Sequence, residues 1–431
     1  MSVNRTWKNL AMGAGLLVLL VVPGAGCLAL AMWAGAATGG DLDDPQLWQA
    51  VLLGLSTVAL MAFAGWTWLN QGQNSLQRKP SPPLKAPPLW AFAGAWVALL
   101  VVGLGWLQTD LQYLFFPFVF IAAGALPPLA AVAWSGGARM QAGQDEISKR
   151  QALLGLTNGA TLAVGMAIIL EVIFGVTLAV LLSGPLRQVQ PGLEALFEEL
   201  TTPQAGQALG SAAFLAALVE LALIAPLVEE FVKPLSVLPM LRAAETPRRA
   251  FLIGAAAGAG FAALENLLYT GFGLEAWGGV LVLRTLGAAI HPLGAGLTAV
   301  AWRAALRGEK ANWLPNYALA VGLHALWNGG SLILITLADA RFFGSRPAEV
   351  DILGITEAGA VIAALAALGA AAWAGLRLLA PTPPVGMVGE RLSRLTTPSS
   401  SDRLLTLWAL LCLVIFLPLG LAALSLLRGG P

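Results

Sequence analysis

Histidine is nearly absent from this chain: there are two in 431 residues, His291 and His324. Charged side chains are scarce too, at 11% of the sequence, and the net charge is only +1. That balance excludes a strong general attraction for nucleic acid. Cysteine stops at Cys27 and Cys412. No CxxC pair occurs. Both cysteines lie in apolar runs, where a free thiol packs as a small hydrophobe. No phosphate-binding glycine loop and no internal repeat occur, and no loop is long enough to hold a soluble domain. An inverted-repeat carrier would show matched broken helices in its two halves, and no such pairing is found.

What is present is apolar sequence. At 58% hydrophobic residues and a mean hydropathy of +0.77, the chain reads as an all-α, polytopic transmembrane bundle. Windows of about 20 apolar residues, each enough to cross the hydrocarbon, fall near 10–34, 47–69, 89–107, 111–134, 153–182, 209–240, 250–270, 279–302, 315–337, 353–379 and 404–426. The expectation is therefore eleven spans in a lipid bilayer. Arg5 and Lys8, before an apolar run that reaches Gly26-Cys27, faintly resemble a lipoprotein signal. Apolar sequence continues past Cys27, so an uncleaved first helix is expected. With the N-terminus cytoplasmic, 18 of the 24 Lys and Arg fall in inside loops and four outside, with Lys233 and Arg284 inside spans. The positive-inside rule selects that orientation, in what reads as a bacterial cytoplasmic membrane.

Three segments are expected. Residues 1–150 form an N-terminal scaffold, whose spans carry no acid, histidine, lysine or arginine in their cores. Residues 151–340 form the core with the chemistry. Residues 341–431 carry the last two spans and a Pro/Ser-rich cytoplasmic loop over 380–402. The Pro-rich stretch 70–88 reads as a flexible cytoplasmic linker. The acidic external loop 183–208 contains a short amphipathic piece, Leu193–Leu200. Oligomeric state is not legible.

Ionisable groups at membrane depth are costly and mark function. Span six reads Pro226-Leu-Val-Glu229-Glu230-Phe-Val-Lys233-Pro234. Glu229 and Lys233, at i and i+4, share a helix face and can pair, while Glu230 is turned by about 100°. Span seven carries Phe261, Glu265, Asn266 and Tyr269, with glycines at 254 and 258 spaced for close helix approach. Span eight carries Arg284 and His291, span nine His324 and Asn328 at i and i+4. Glu171, in span five, has no partner motif and stays outside the core set. Counting a rise of about 1.5 Å per residue places these groups in one layer near mid-membrane.

The pattern Glu229-Glu230-x-x-Lys233, Phe261-x-x-x-Glu265-Asn266, then His291 and His324-x-x-x-Asn328 resembles the PrsW family of intramembrane proteases, in the wider superfamily of CAAX prenyl proteases and ABI immunity proteins. The resemblance covers about residues 205–340. It implies proteolysis of membrane protein substrates such as anti-sigma factors. Catalytic residues would be Glu229, Glu230, Glu265, His291, His324 and Asn328, supported by Lys233, Arg284, Asn266 and Tyr269. Two chemistries stay open. In one, a glutamate of the Glu229/Glu230 pair is the general base, and His291, His324 and Asn328 orient water and stabilise the oxyanion. In the other, Glu265, His291 and His324 hold Zn²⁺. Charge counting requires no cofactor, since three carboxylates face Lys233 and Arg284, and one protonated glutamate gives neutrality. A proton-coupled carrier or a non-catalytic immunity-type protein is the rival reading, because Glu, His and Arg also build proton relays.

Overall fold

The computed structural model describes residues 81–109, 112–137, 147–183, 212–272, 276–310, 312–342 and 352–381, with Leu52, Phe63, Trp66 and Thr67. The first and eleventh expected spans, all of the second but those four residues, both cysteines, residues 184–211 and residues 382–402 lie outside this set. Spans three to ten all fall on helices. These are α1 (Leu89–Trp106), α2 (Gln112–Gly137), α3 (Lys149–Asn158), α4 (Val164–Ser183), α5 (Ala212–Val219), α6 (Ala225–Leu235), α7 (Leu238–Ala243), α8 (Pro247–Phe272), α9 (Trp277–Leu286), α10 (Ile290–Leu306), α11 (Trp313–Phe342) and α12 (Ile352–Leu378). Seven described stretches are long and apolar enough to span a bilayer. The region is an all-helical membrane bundle.

Three expected spans are not single α-helices. Span five runs α3, a π-helical turn at Gly159–Ala163, then α4. Its start is fixed by a capping box, with Ser148 Oγ accepting from Gln151 N and the Gln151 side chain accepting from Ser148 N. Span six runs α5, a π turn at Glu220–Ile224, then α6 and α7. Span eight is interrupted by a 3₁₀ turn at Gly287–Ala289, directly before His291.

α8 lies at the centre, packed on α10, α2, α3 and α6. Glycine is what lets it sit there. A Cβ on Gly258 would overlap the carbonyl oxygen of His291, and one on Gly260 would overlap that of Leu156. Gly258→Val is expected to lower stability by about 3 kcal/mol or more through overpacking against backbone. Gly279→Val, where a Cβ meets nothing within 4 Å, is expected to stay near wild type. Thermal unfolding in detergent compares them; equal midpoints would contradict this packing. The outer helices show the opposite pattern. Trp90, Val97 and Val101 on α1, and Leu215, Val219, Leu223 and Leu227 along span six, are exposed, as lipid-facing side chains are.

Residues 81–88 correct the linker expectation. Leu84 N donates to Ile147 O at 3.0 Å, Lys149 N to Pro82 O at 2.8 Å and Arg150 N to Ser81 Oγ at 3.1 Å. Leu84 also packs on the main core. Proline leaves few backbone donors to satisfy and a stiff, extended chain, which here docks beside the start of α3. At another connection, Arg303 donates to Ala244 O at 3.1 Å and to Glu245 O at 2.8 Å. It also donates to Glu309 at 2.6 Å, and that hydrogen bond holds the Glu309 carboxyl below its ordinary range. The connections so joined, 81–84 with 147–150 and 244–245 with 303–309, are pairs that the Lys/Arg count places on one side.

Candidate active site

The site begins with a proline. Pro226 has no N–H, so the carbonyls behind it lack a helical donor, and span six takes a π turn over Glu220–Ile224 just before it. In that register the orphan is Leu221, five residues back. Asn328 Nδ2, from α11, donates to Leu221 O at 2.9 Å. A side chain from a neighbouring helix thus satisfies a backbone group that lipid cannot.

α6 then presents Glu229, Glu230 and Lys233, all buried. Lys233 is fully enclosed, and its ammonium uses three N–H groups on three acceptors: Glu230 Oε1 at 2.6 Å, His291 Nδ1 at 2.7 Å and Glu229 Oε2 at 3.1 Å. It also lies 4.3 Å from the centre of the Phe261 ring. This revises the expected geometry, in which Lys233 pairs with Glu229 and leaves Glu230 turned away. Residues at i+3 are neighbours as well as those at i+4, and the long lysine stem reaches both carboxylates, Glu230 more closely.

The histidines are held at both ring nitrogens. His291 Nδ1 accepts from Lys233, so its proton sits on Nε2, 2.7 Å from Glu265 Oε2. His324 Nε2 accepts from Asn328 Nδ2 at 3.0 Å, so its proton sits on Nδ1 and is donated to Glu230 Oε1 at 3.1 Å. The partners therefore assign opposite tautomers to the two rings, whose centres are 4.5 Å apart. Glu265 also accepts from Arg284 Nη2 at 2.9 Å, and Arg284 Nε donates to Asn266 Oδ1 at 2.9 Å. The Arg284 guanidinium lies over the Tyr269 ring at 4.7 Å.

All ten candidate residues fall in one connected cluster. Glu229 and Glu230 differ within it. Glu230 has no exposure, and its Oε2 lies against Gly294, where a Cβ would come within 2.5 Å. Glu229 Oε2 faces His324 Nε2 at 3.8 Å and retains slight exposure. Sequence reasoning missed the backbone acceptors Leu221 O and Gly124 O, the latter taking a hydrogen bond from Asn266 Nδ2 at 3.0 Å. Prolines four or five residues downstream were the available signal. Glu171 is half-buried and within electrostatic reach of Glu220, Glu265 and Lys233, at the margin of the cluster.

The model of the PrsW family of intramembrane metalloproteases matches residues 150–345. That segment is similar to the PrsW family. PrsW is a family of intramembrane proteases, so the activity of this membrane protein is that of a peptidase, acting on membrane protein substrates in the bilayer. Between enzyme and carrier, the PrsW match supports the enzyme. No curated protein and no solved structure matches the chain.

The family description carries a metal, and the residues fit one. Among the described residues, Glu229, His291 and His324 bring donor atoms within 4.8 Å of one another. Two histidines and a glutamate are a known catalytic zinc set. Each ring also has one nitrogen backed by a carboxylate, Glu265 on His291 and Glu230 on His324, as metal-bound histidines commonly do. Glu229 thus stands where the sequence reading placed Glu265, which is taken up by Arg284 and His291. The charge argument that no cofactor is required finds no support here.

Proposed function

We propose that this protein is an intramembrane endopeptidase in which Glu229 is the carboxylate at the reacting water. The observation that carries this reading is the division of labour among three buried glutamates. Glu230 orients His324, and Glu265 orients His291. Glu229 alone of the three faces both rings without a histidine proton of its own. A water between Glu229 Oε2 and the imidazoles gives its proton to that carboxylate as its oxygen attacks the scissile carbonyl. The same carboxylate then passes the proton to the departing amide nitrogen. Lys233, bonded to both Glu229 and Glu230, keeps the enclosed carboxylates near neutrality.

The donor set favours a second reading. Glu229, His291 and His324 would hold Zn²⁺, with His291 Nδ1 giving up its hydrogen bond from Lys233 and His324 Nε2 its hydrogen bond from Asn328. The ion, when bound, supplies Lewis-acid polarisation of the carbonyl and an acidified water. We further place the protein in a bacterial cytoplasmic membrane, N-terminus inside, with single-span signalling proteins, anti-sigma factors among them, as the substrate class.

The test is cleavage of single-span membrane proteins by purified protein in liposomes, with and without a chelator. Loss of cleavage on chelation and recovery with added Zn²⁺ is expected if the ion is used, and cleavage unaffected by chelator if Glu229 acts alone. Substrate left intact under every condition would contradict both.

A further inference from the structure

Two helices carry the same device. α2 contains Pro127-Pro128. Pro128 has no N–H, so the Gly124 carbonyl, four residues back, has no helical donor. Asn266 Nδ2 supplies one at 3.0 Å, in a buried contact. α2 and α8 are close there, a Cβ on Gly124 falling 2.9 Å from the Leu267 side chain. With its nitrogen fixed on a carbonyl, the Asn266 amide cannot turn over without setting oxygen against oxygen. Its Oδ1 is therefore held toward Arg284 Nε at 2.9 Å, Arg284 Nη2 lies on Glu265 at 2.9 Å, and Glu265 lies on His291 Nε2 at 2.7 Å. Pro226, Leu221 O and Asn328 do the same for His324. In each case a proline frees a carbonyl, an asparagine caps it, and the fixed amide sets a histidine.

We propose that α2, which lies outside the PrsW-matched segment, is part of the machinery that orients His291, with Asn266 as the positioning residue between them. This rests on the reading of His291 as a catalytic residue. It gives the N-terminal segment a task beyond scaffolding, because the family segment alone does not supply the carbonyl that fixes Asn266.

The full chain in nanodiscs, labelled with ¹⁵N-histidine, tests this directly, since two histidines give only two sets of ring signals and His324→Gln assigns them. Wild type is expected to show His291 protonated at Nε2 and His324 at Nδ1. Asn266→Leu is expected to lose the single-tautomer signature of His291, keep that of His324, and lower kcat about tenfold or more with KM within about twofold. Pro128→Ala added to Asn266→Leu restores an N–H for Gly124 O. The double variant should recover thermal stability but neither kcat nor the His291 signal. Asn266→Leu with a lowered Tm but wild-type kcat and His291 signal would overturn the proposal, as would recovery of kcat by Pro128→Ala. If wild type cleaves nothing, the protease reading fails separately. The His291 signal then decides the relay by itself, and an unchanged signal in Asn266→Leu overturns it.

Discussion

Glu229→Gln is expected to lower the rate of substrate cleavage about 10³-fold, within the range that a lost general acid–base group produces. The substitution is nearly isosteric. Glutamine keeps a carbonyl oxygen to accept from Lys233 Nζ, which lies 3.1 Å from Glu229 Oε2, so the fold should survive. What is lost is the ability to take and return a proton, and the charge that would bind a metal. Glu230→Gln is expected to cost less, about 10- to 100-fold, because Glu230 acts through the orientation of His324. Cleavage rates of both variants, beside thermal midpoints showing that both remain folded, test the assignment. Glu229→Gln within tenfold of wild type, or less damaging than Glu230→Gln, would contradict it.

Lys233→Met should have the largest effect on stability. Lys233 is fully enclosed and is, among the described residues, the one Lys or Arg bonded to Glu229 and Glu230, while Arg284 is held on Glu265. Removing one partner of a buried ion pair typically costs 3–5 kcal/mol, roughly, because the remaining charge is stranded. Here two carboxylates are stranded together, and His291 Nδ1 loses its donor. The expected result is a large drop in thermal midpoint with loss of cleavage. Adding Glu230→Gln removes one stranded charge and should regain part of the stability without regaining activity. A double variant no more stable than Lys233→Met would show that stranded charge is not the cause.

How much of this was legible in sequence depended on the kind of signal. The apolar windows found the seven stretches that are long and apolar enough to cross a bilayer, because hydrophobic length depends little on neighbours. Span six, which carries Glu220, Glu229, Glu230 and Lys233, is helical but not among them. The polar residues came together as expected because charge at membrane depth has so few places to go. The breaks were harder. The π turns before Pro226 and after Asn158, and the 3₁₀ turn before His291, follow from how helices pack and which orphaned carbonyls find partners, and a hydropathy window averages over them. Which carboxylate Lys233 prefers was also out of reach. A helical wheel puts 229 and 233 on one face but does not show how far a lysine stem can lean. Glu265 reads as a metal ligand by motif, yet the Arg284 beside it comes from another helix and redirects it to backing His291. The docking of residues 81–88 was hidden by their composition, since prolines read as linker until the partner segment at 147–150 is seen.

The most direct test of the central claim is the intact mass of products from a single-span membrane protein incubated in liposomes with purified wild type or Glu229→Gln. The account predicts two fragments from the wild type whose masses together equal the substrate plus one water, and none above background from the variant. A substrate left whole by the wild type, or the same fragments in equal yield from both proteins, would contradict it.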